Sequence, residues 1–212
     1  MEQKRKMFFP GFVLVLLMLI SFLGGCSSDQ SNKIAYISAN ENSRYQTTFS
    51  ELNLGLVRDY RLMLPSADKS WVKIWVEGYR DGEKVEPSPL AELSYGLSPE
   101  KVSEGSMGIG IIHTGERRYV FLYAPGVSMG PMELDAFLID SGISGWEYAV
   151  DSERIGLEPG ETVVLGAHRQ GEQSLRMYDL QDEDSIDDMI EEDKTVLLLK
   201  IRVDEQEEPP RA

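Results

Sequence analysis

Apolar residues in this chain recur mostly at every second position. Leu54, Leu56, Tyr60, Leu62 and Leu64 alternate with Gly55, Asp59 and Arg61, the period of a half-buried strand. Beyond the loop Pro65–Ser70 the alternation resumes from Trp71 to Tyr79, and Asp81-Gly82 predicts the turn that ends it. Ser106–His113 and Arg118–Ala124 flank Thr114-Gly115-Glu116-Arg117 as the two arms of a hairpin. Trp146–Val150, Thr162–Ala167 and Ser174–Leu180 give shorter strands between glycine-containing turns. Thr195, Leu197, Leu199, Ile201 and Val203 form so apolar a face that their strand is expected at the centre of a sheet. Two stretches have helical spacing. Met132–Ile139 follows Pro131, a residue suited to a helix start, and Ser185–Asp193 aligns Ile186, Met189 and Ile190 behind Ser185 as a cap. Many short strands, frequent turns and no alternating βα units predict a mainly β fold. The expectation is an antiparallel β-sandwich, immunoglobulin-like or related, with one or two short helices.

The first residues follow a different pattern. Lys4-Arg5-Lys6 precede an apolar run from Phe12 to Leu23, and small residues follow it. A positive start, an apolar middle and small residues at a cut make a secretory signal, which places the rest of the chain outside the cytoplasm. Leu23-Gly24-Gly25-Cys26 resembles the lipobox of bacterial lipoproteins. The resemblance implies that residues 1–25 are removed and that the Cys26 thiol carries a diacylglyceryl group. Two acyl chains give stable attachment where one gives only marginal binding, so the protein is expected at the cell membrane, lipid-anchored. The other reading of Met7–Gly25 is an uncleaved span, with Pro10-Gly11 interrupting its start. Residues 26–48, rich in Ser, Asn, Gln and Thr, read as the lipidated N-terminus and a polar tether, whose apolar island Ile34-Ala35-Tyr36-Ile37 leaves open one strand pinned to the domain. The β domain is then 49–204, and 205–212 a disordered tail. Pro87–Gly105 leaves open a division into two smaller β units. Leu157-Glu158-Pro159-Gly160-Glu161-Thr162-Val163 is similar to a turn-into-strand phrase of immunoglobulin-like extracellular modules.

Charge and cysteine usage narrow the function. A formal charge of −15 disfavours nucleic acid and anionic lipid headgroups, and it leaves a basic partner open. Cys26 is the only cysteine. The exported domain therefore has no disulfide and no thiolate metal ligand, and must hold itself together by core burial.

Candidate chemistry concentrates on one strand. In Trp71–Tyr79 the residues Val72, Ile74 and Val76 share one face, and Trp71, Lys73, Trp75, Glu77 and Tyr79 share the other. Aromatics among charges suit a sugar ring or a protein hot spot, unless a loop or helix covers them. Gly126-Val127-Ser128-Met129-Gly130 matches the serine-hydrolase elbow pattern, with His168 downstream and Asp140 or Asp151 between. The flanking Pro125 and Pro131 and the missing βαβ scaffold speak for a surface loop. The acidic run from Asp182 to Asp193 has carboxylates for calcium but Asp187 where the calcium loop needs glycine. His113 and His168 lie far apart in sequence, and Gly108-Ile109-Gly110 reads as a bulge or a close backbone approach. The resulting expectation is a non-catalytic envelope lipoprotein that needs no cofactor. Its domain would bind a protein partner or serve a structural role, with wall-glycan binding by Trp71, Trp75 and Tyr79 as the alternative and a hydrolase at Ser128 as a distant third.

Overall fold

A computed structural model describes residues 32–209 except Glu116, Asp135, Ala136, Asp140 and Ser141. Cys26 and the signal segment lie outside the described residues. In chain order the elements are β1 (Ala35–Ala39), α1 (Arg44–Glu51), β2 (Gly55–Leu64), β3 (Ser70–Arg80), β4 (Glu83–Lys84) and β5 (Ala91–Gly96). They continue with β6 (Ser103–Thr114), β7 (Arg117–Ala124), β8 (Val127–Ser128), β9 (Met132–Glu133) and β10 (Ile143–Tyr148). The last are β11 (Ile155–Leu157), β12 (Thr162–Gly171), α2 (Glu183–Glu192) and β13 (Thr195–Glu205). One sheet runs β11-β1-β2-β6-β7-β8, with β9 also on β7. The other runs β10-β12-β13-β3-β4, with β5 also on β3. Each of these pairings is antiparallel. The fold is an antiparallel β-sandwich with two short helices among the described residues.

Alternation along each strand builds the core. Tyr60, Leu62, Met107, Ile109, Ile111 and Leu122 of the first sheet meet Val72, Ile74, Val76, Leu197, Leu199 and Ile201 of the second. β13 is central, as its apolar face requires, and its first half, Thr195 to Leu199, is buried on both sides. Val196 and Leu198 face outward under α2, against Ile186, Met189 and Ile190. Tyr60 joins the two sheets through its hydroxyl, which donates to the Leu165 carbonyl at 2.8 Å. Leu165 sits at the irregularity between Val164 and Gly166 where β12 shifts register, and its carbonyl accepts from the Ala149 amide at 2.9 Å as well as from the Tyr60 hydroxyl.

Several sequence expectations change. The apolar island of the tether is a strand pinned to the domain, since β1 pairs with both β2 and β11, but the helix α1 that follows it was not expected. α1 buries no residue, and its start is fixed by a capping box between Ser43 and Gln46. The described residues of Met132–Ile139 are not helical. The first two are β9, and Leu134, Phe137 and Leu138 turn into the core beside the sheets. Ser174–Leu180 is not a strand; Tyr178 and Leu180 pack it beneath the second sheet's outer face. α2 is capped by Asp182, whose side chain accepts from the Ser185 amide, and not by Ser185 itself. Pro87–Gly105 contains β5, which pairs with β3, and so lies inside the sandwich. Asp81 and Gly82 both have positive φ, at 49° and 81°, the geometry of a tight turn whose twist matches the β3–β4 hairpin.

Candidate functional site

β3 is paired by β13 on one side and β5 on the other. Its outward residues Trp71, Lys73 and Trp75 therefore stand beside Asp204, Arg202 and Lys200 of β13, and beside Gly96, Ser94 and Glu92 of β5. Of these, Trp71, Lys73, Trp75, Glu92, Ser94, Arg202 and Asp204, together with Pro89 and Gln206, surround a groove of about 600 Å³ on the outer face of the second sheet. The sequence reading picked the β3 half of this site. It missed Arg202, Asp204 and Glu92, although the polar alternates Lys200, Arg202 and Asp204 opposite an apolar face were visible in β13.

Glu77 organises the floor. Its carboxylate accepts from the Trp75 indole N–H at 3.0 Å, the Tyr79 hydroxyl at 2.9 Å and Lys200 Nζ at 2.9 Å, with Lys84 Nζ at 3.4 Å. Burial alone would raise its pKa, but the donors from Lys200, Trp75 and Tyr79 outweigh it and hold the group at about 2. Lys73 lies 5.5 Å over the Trp75 ring while pairing with Glu92 at 2.7 Å. Trp75 is consequently 8% exposed, whereas Trp71 is half-buried and opens on the groove. Tyr79 does not line the groove; it packs into the second cluster beneath α2, with Lys84 5.9 Å over its ring. Trp71, Lys73, Trp75 and Glu77 are thus brought together, and Tyr79 is covered.

The Glu77 network predicts an acid response. Because the folded pKa lies below the ordinary 4.5, the stabilisation is complete above the unfolded value and is lost as pH falls toward 2. Thermal melts from pH 6 to pH 2 are expected to show a steeper loss in the parent than in Glu77→Gln, which has no carboxylate to protonate there. Parallel curves would contradict this assignment.

The other candidates separate. Ser128 is exposed in β8 and pairs with Tyr123 across a two-strand hairpin; β9 follows it, so the elbow's strand-to-helix context is absent. The acidic run becomes α2 and its cap. Among the described residues no group of three or more His, Cys, Asp or Glu is arranged to hold a metal ion. Gly108 is a close backbone approach to the Arg58 carbonyl, as the sequence indicated, whereas Gly110 makes room for the Phe121 ring. His113 and His168, by contrast, line one cleft.

Comparison with protein-family models, with curated proteins and with solved structures finds no match to this chain.

Proposed function

We propose that this chain is an exported lipoprotein, anchored at the cell membrane through a lipidated Cys26, whose sandwich domain binds a partner in the cell envelope without catalysis. The observation that carries the binding role is the groove over β3, with Trp71 open to it and a rim of Lys73, Glu92, Arg202 and Asp204. An aromatic face among hydrogen-bonding groups gives contact area and orientation at low entropic cost. The signal pattern and the residues before Cys26 support the location.

Wall glycan is the second reading. Trp71 offers a ring face, while Ser94, Gln206 and the rim charges offer donors and acceptors for sugar hydroxyls. Trp75 contributes ring edge only, since its N–H is held by Glu77. Co-sedimentation of the full chain, in non-ionic detergent, with purified sacculi separates the two. Glycan recognition is expected to give saturable sedimentation that Trp71→Ala weakens at least tenfold while its melting curve stays cooperative. No sedimentation by the parent would retire the glycan reading and leave a protein partner.

A further inference from the structure

Val57 and Asp59 of β2 point away from the core of the sandwich, and Gly110 and Gly108 of β6 stand beside them. On the far side of those glycines come Phe121 and Tyr123 of β7. With no side chain on β6 in their way, both rings lean across that strand. A Cβ on Gly110 would meet the Phe121 ring at 2.1 Å, and the Tyr123 hydroxyl passes Gly108 to reach Asp59 at 2.7 Å. α1 lies over this face, with Tyr45 and Phe49 one helical turn apart. Tyr45 is edge-on to Tyr123 with ring centroids 5.6 Å apart, and Phe49 is tilted against Phe121 at 5.8 Å. The helix nevertheless buries none of its residues, and Tyr45 is 52% exposed. Helix and sheet therefore do not close on one another. Between them is a hollow of about 440 Å³, walled by the four rings with Val57 and Pro125, and no charged side chain among the described residues lines it.

Behind the rings is a buried charge. Asp59 is 0% exposed and accepts from Tyr123, Asn40 and Ser106, each at 3.2 Å or less. These donors satisfy its oxygens, but no Lys or Arg pairs with it among the described residues. Arg61, two positions along β2, is paired with Glu104 at 2.8 Å, and Arg44 is exposed beside the adjoining hollow that Asp59 floors. A buried carboxylate without a counter-ion is poorly screened, so its field extends to its neighbours. That field is felt in the aromatic hollow: burial first, then Asp59, push the Tyr123 hydroxyl far above its ordinary range. The hydroxyl protons of Ser106 and Tyr123 are spent on Asp59, so both oxygens keep only acceptor capacity. Ring faces carry the negative part of the aromatic quadrupole. A positive group with an apolar coat is the complement of such a lining.

We propose that this hollow binds a small quaternary ammonium compound, its methylated nitrogen boxed by Tyr45, Phe49, Phe121 and Tyr123 and drawn by the charge of Asp59. Ring faces attract a cation most strongly where water is excluded, and N-methyl groups match the apolar remainder of the wall. A primary ammonium fits less well, because it must replace its hydrogen bonds to water while Asp59 is sealed out of reach. The chain's formal charge of −15 favours the approach of a cation. The hollow lies on the first sheet, whereas the groove over β3 lies on the second, and it does not depend on the role proposed for that groove.

The full chain in non-ionic detergent is titrated calorimetrically at pH 7 with choline, with its neutral isostere 3,3-dimethylbutan-1-ol and with ethanolamine. Saturable choline binding is expected, with the isostere and ethanolamine at least about tenfold weaker. The N-methyl proton resonance of bound choline is expected to move upfield, the mark of ring faces around it. Phe49→Leu keeps apolar bulk without a π face on a helix that buries nothing. It is expected to weaken choline by about fivefold or more and to leave the isostere unchanged. Asp59→Asn keeps the shape and removes the charge, and is expected to bring choline within about threefold of the isostere. Should that buried substitution prevent folding, Phe49→Leu decides alone. No saturation by choline, equal binding of the isostere, or unchanged choline affinity in Phe49→Leu would each overturn the proposal.

Discussion

Replacing Asp193 by alanine is expected to lower the unfolding free energy by about 3–5 kcal/mol, the range for a buried ion pair that loses one partner. The Asp193 and Arg169 side chains are 5% and 4% exposed, and Arg169 Nε donates to Asp193 Oδ2 at 2.6 Å. The guanidinium also donates to Glu147 and to the Arg176 carbonyl, each at 2.8 Å, and lies 4.6 Å over the Tyr178 ring. One cation therefore fastens the segment before α2 to the outer face of the second sheet. Without Asp193 it stays buried with its charge under-compensated, since one of its terminal nitrogens already lacks a partner among the described residues. The paired replacement Arg169→Met/Asp193→Leu is expected to recover most of the loss, because it removes both charges from an apolar setting. Urea denaturation checks both. A loss below about 1 kcal/mol in Asp193→Ala would mean that Glu147 alone compensates Arg169.

The second large effect belongs to Gly108. A Cβ there would stand 2.0 Å from the Arg58 carbonyl oxygen of the adjacent strand and 2.9 Å from the Tyr123 hydroxyl. That hydroxyl donates at 2.7 Å to Asp59, which is fully buried and also takes Asn40 at 2.6 Å and Ser106 at 3.2 Å. Gly108→Ala must therefore part β2 from β6 and disturb a satisfied buried carboxylate together, with a destabilisation of about 3 kcal/mol. Gly110 gives the contrast. Its added Cβ meets the far edge of the Phe121 ring at 2.1 Å, and no backbone atom is among the closest. The ring has room to swing on a half-buried face, so Gly110→Ala is expected to lose only about 1 kcal/mol. Urea midpoints that ranked the two glycines in the opposite order would refute this account.

These features show what the residue pattern discloses. Alternation exposed β2, β3, β6, β7 and β13 because each buries one face against the opposite sheet, and a period of two survives any choice of neighbours. It failed at Met132–Ile139, where Leu134, Phe137 and Leu138 imitate a helical stripe while in fact plugging the sandwich from a loop. It also failed at α1, which buries nothing and so leaves no apolar stripe; the one local signal, the Ser43–Gln46 capping-box spacing, was not read. The β3 half of the groove was legible as aromatics among charges. Its far wall was not, because which strand lies beside which is decided by topology. The His113–His168 cleft is the extreme case. The two rings belong to different sheets, and nothing local to either names the other.

The rims of the first sheet carry a further consequence. β11, at one margin, has three residues, and β8 and β9, which share the other, have two each. A neighbouring molecule would find no long row of unpaired amides and carbonyls there to extend, so strand addition at these margins is disfavoured. On the membrane anchorage proposed above, such interrupted borders would keep crowded copies from joining edge to edge through their first sheets.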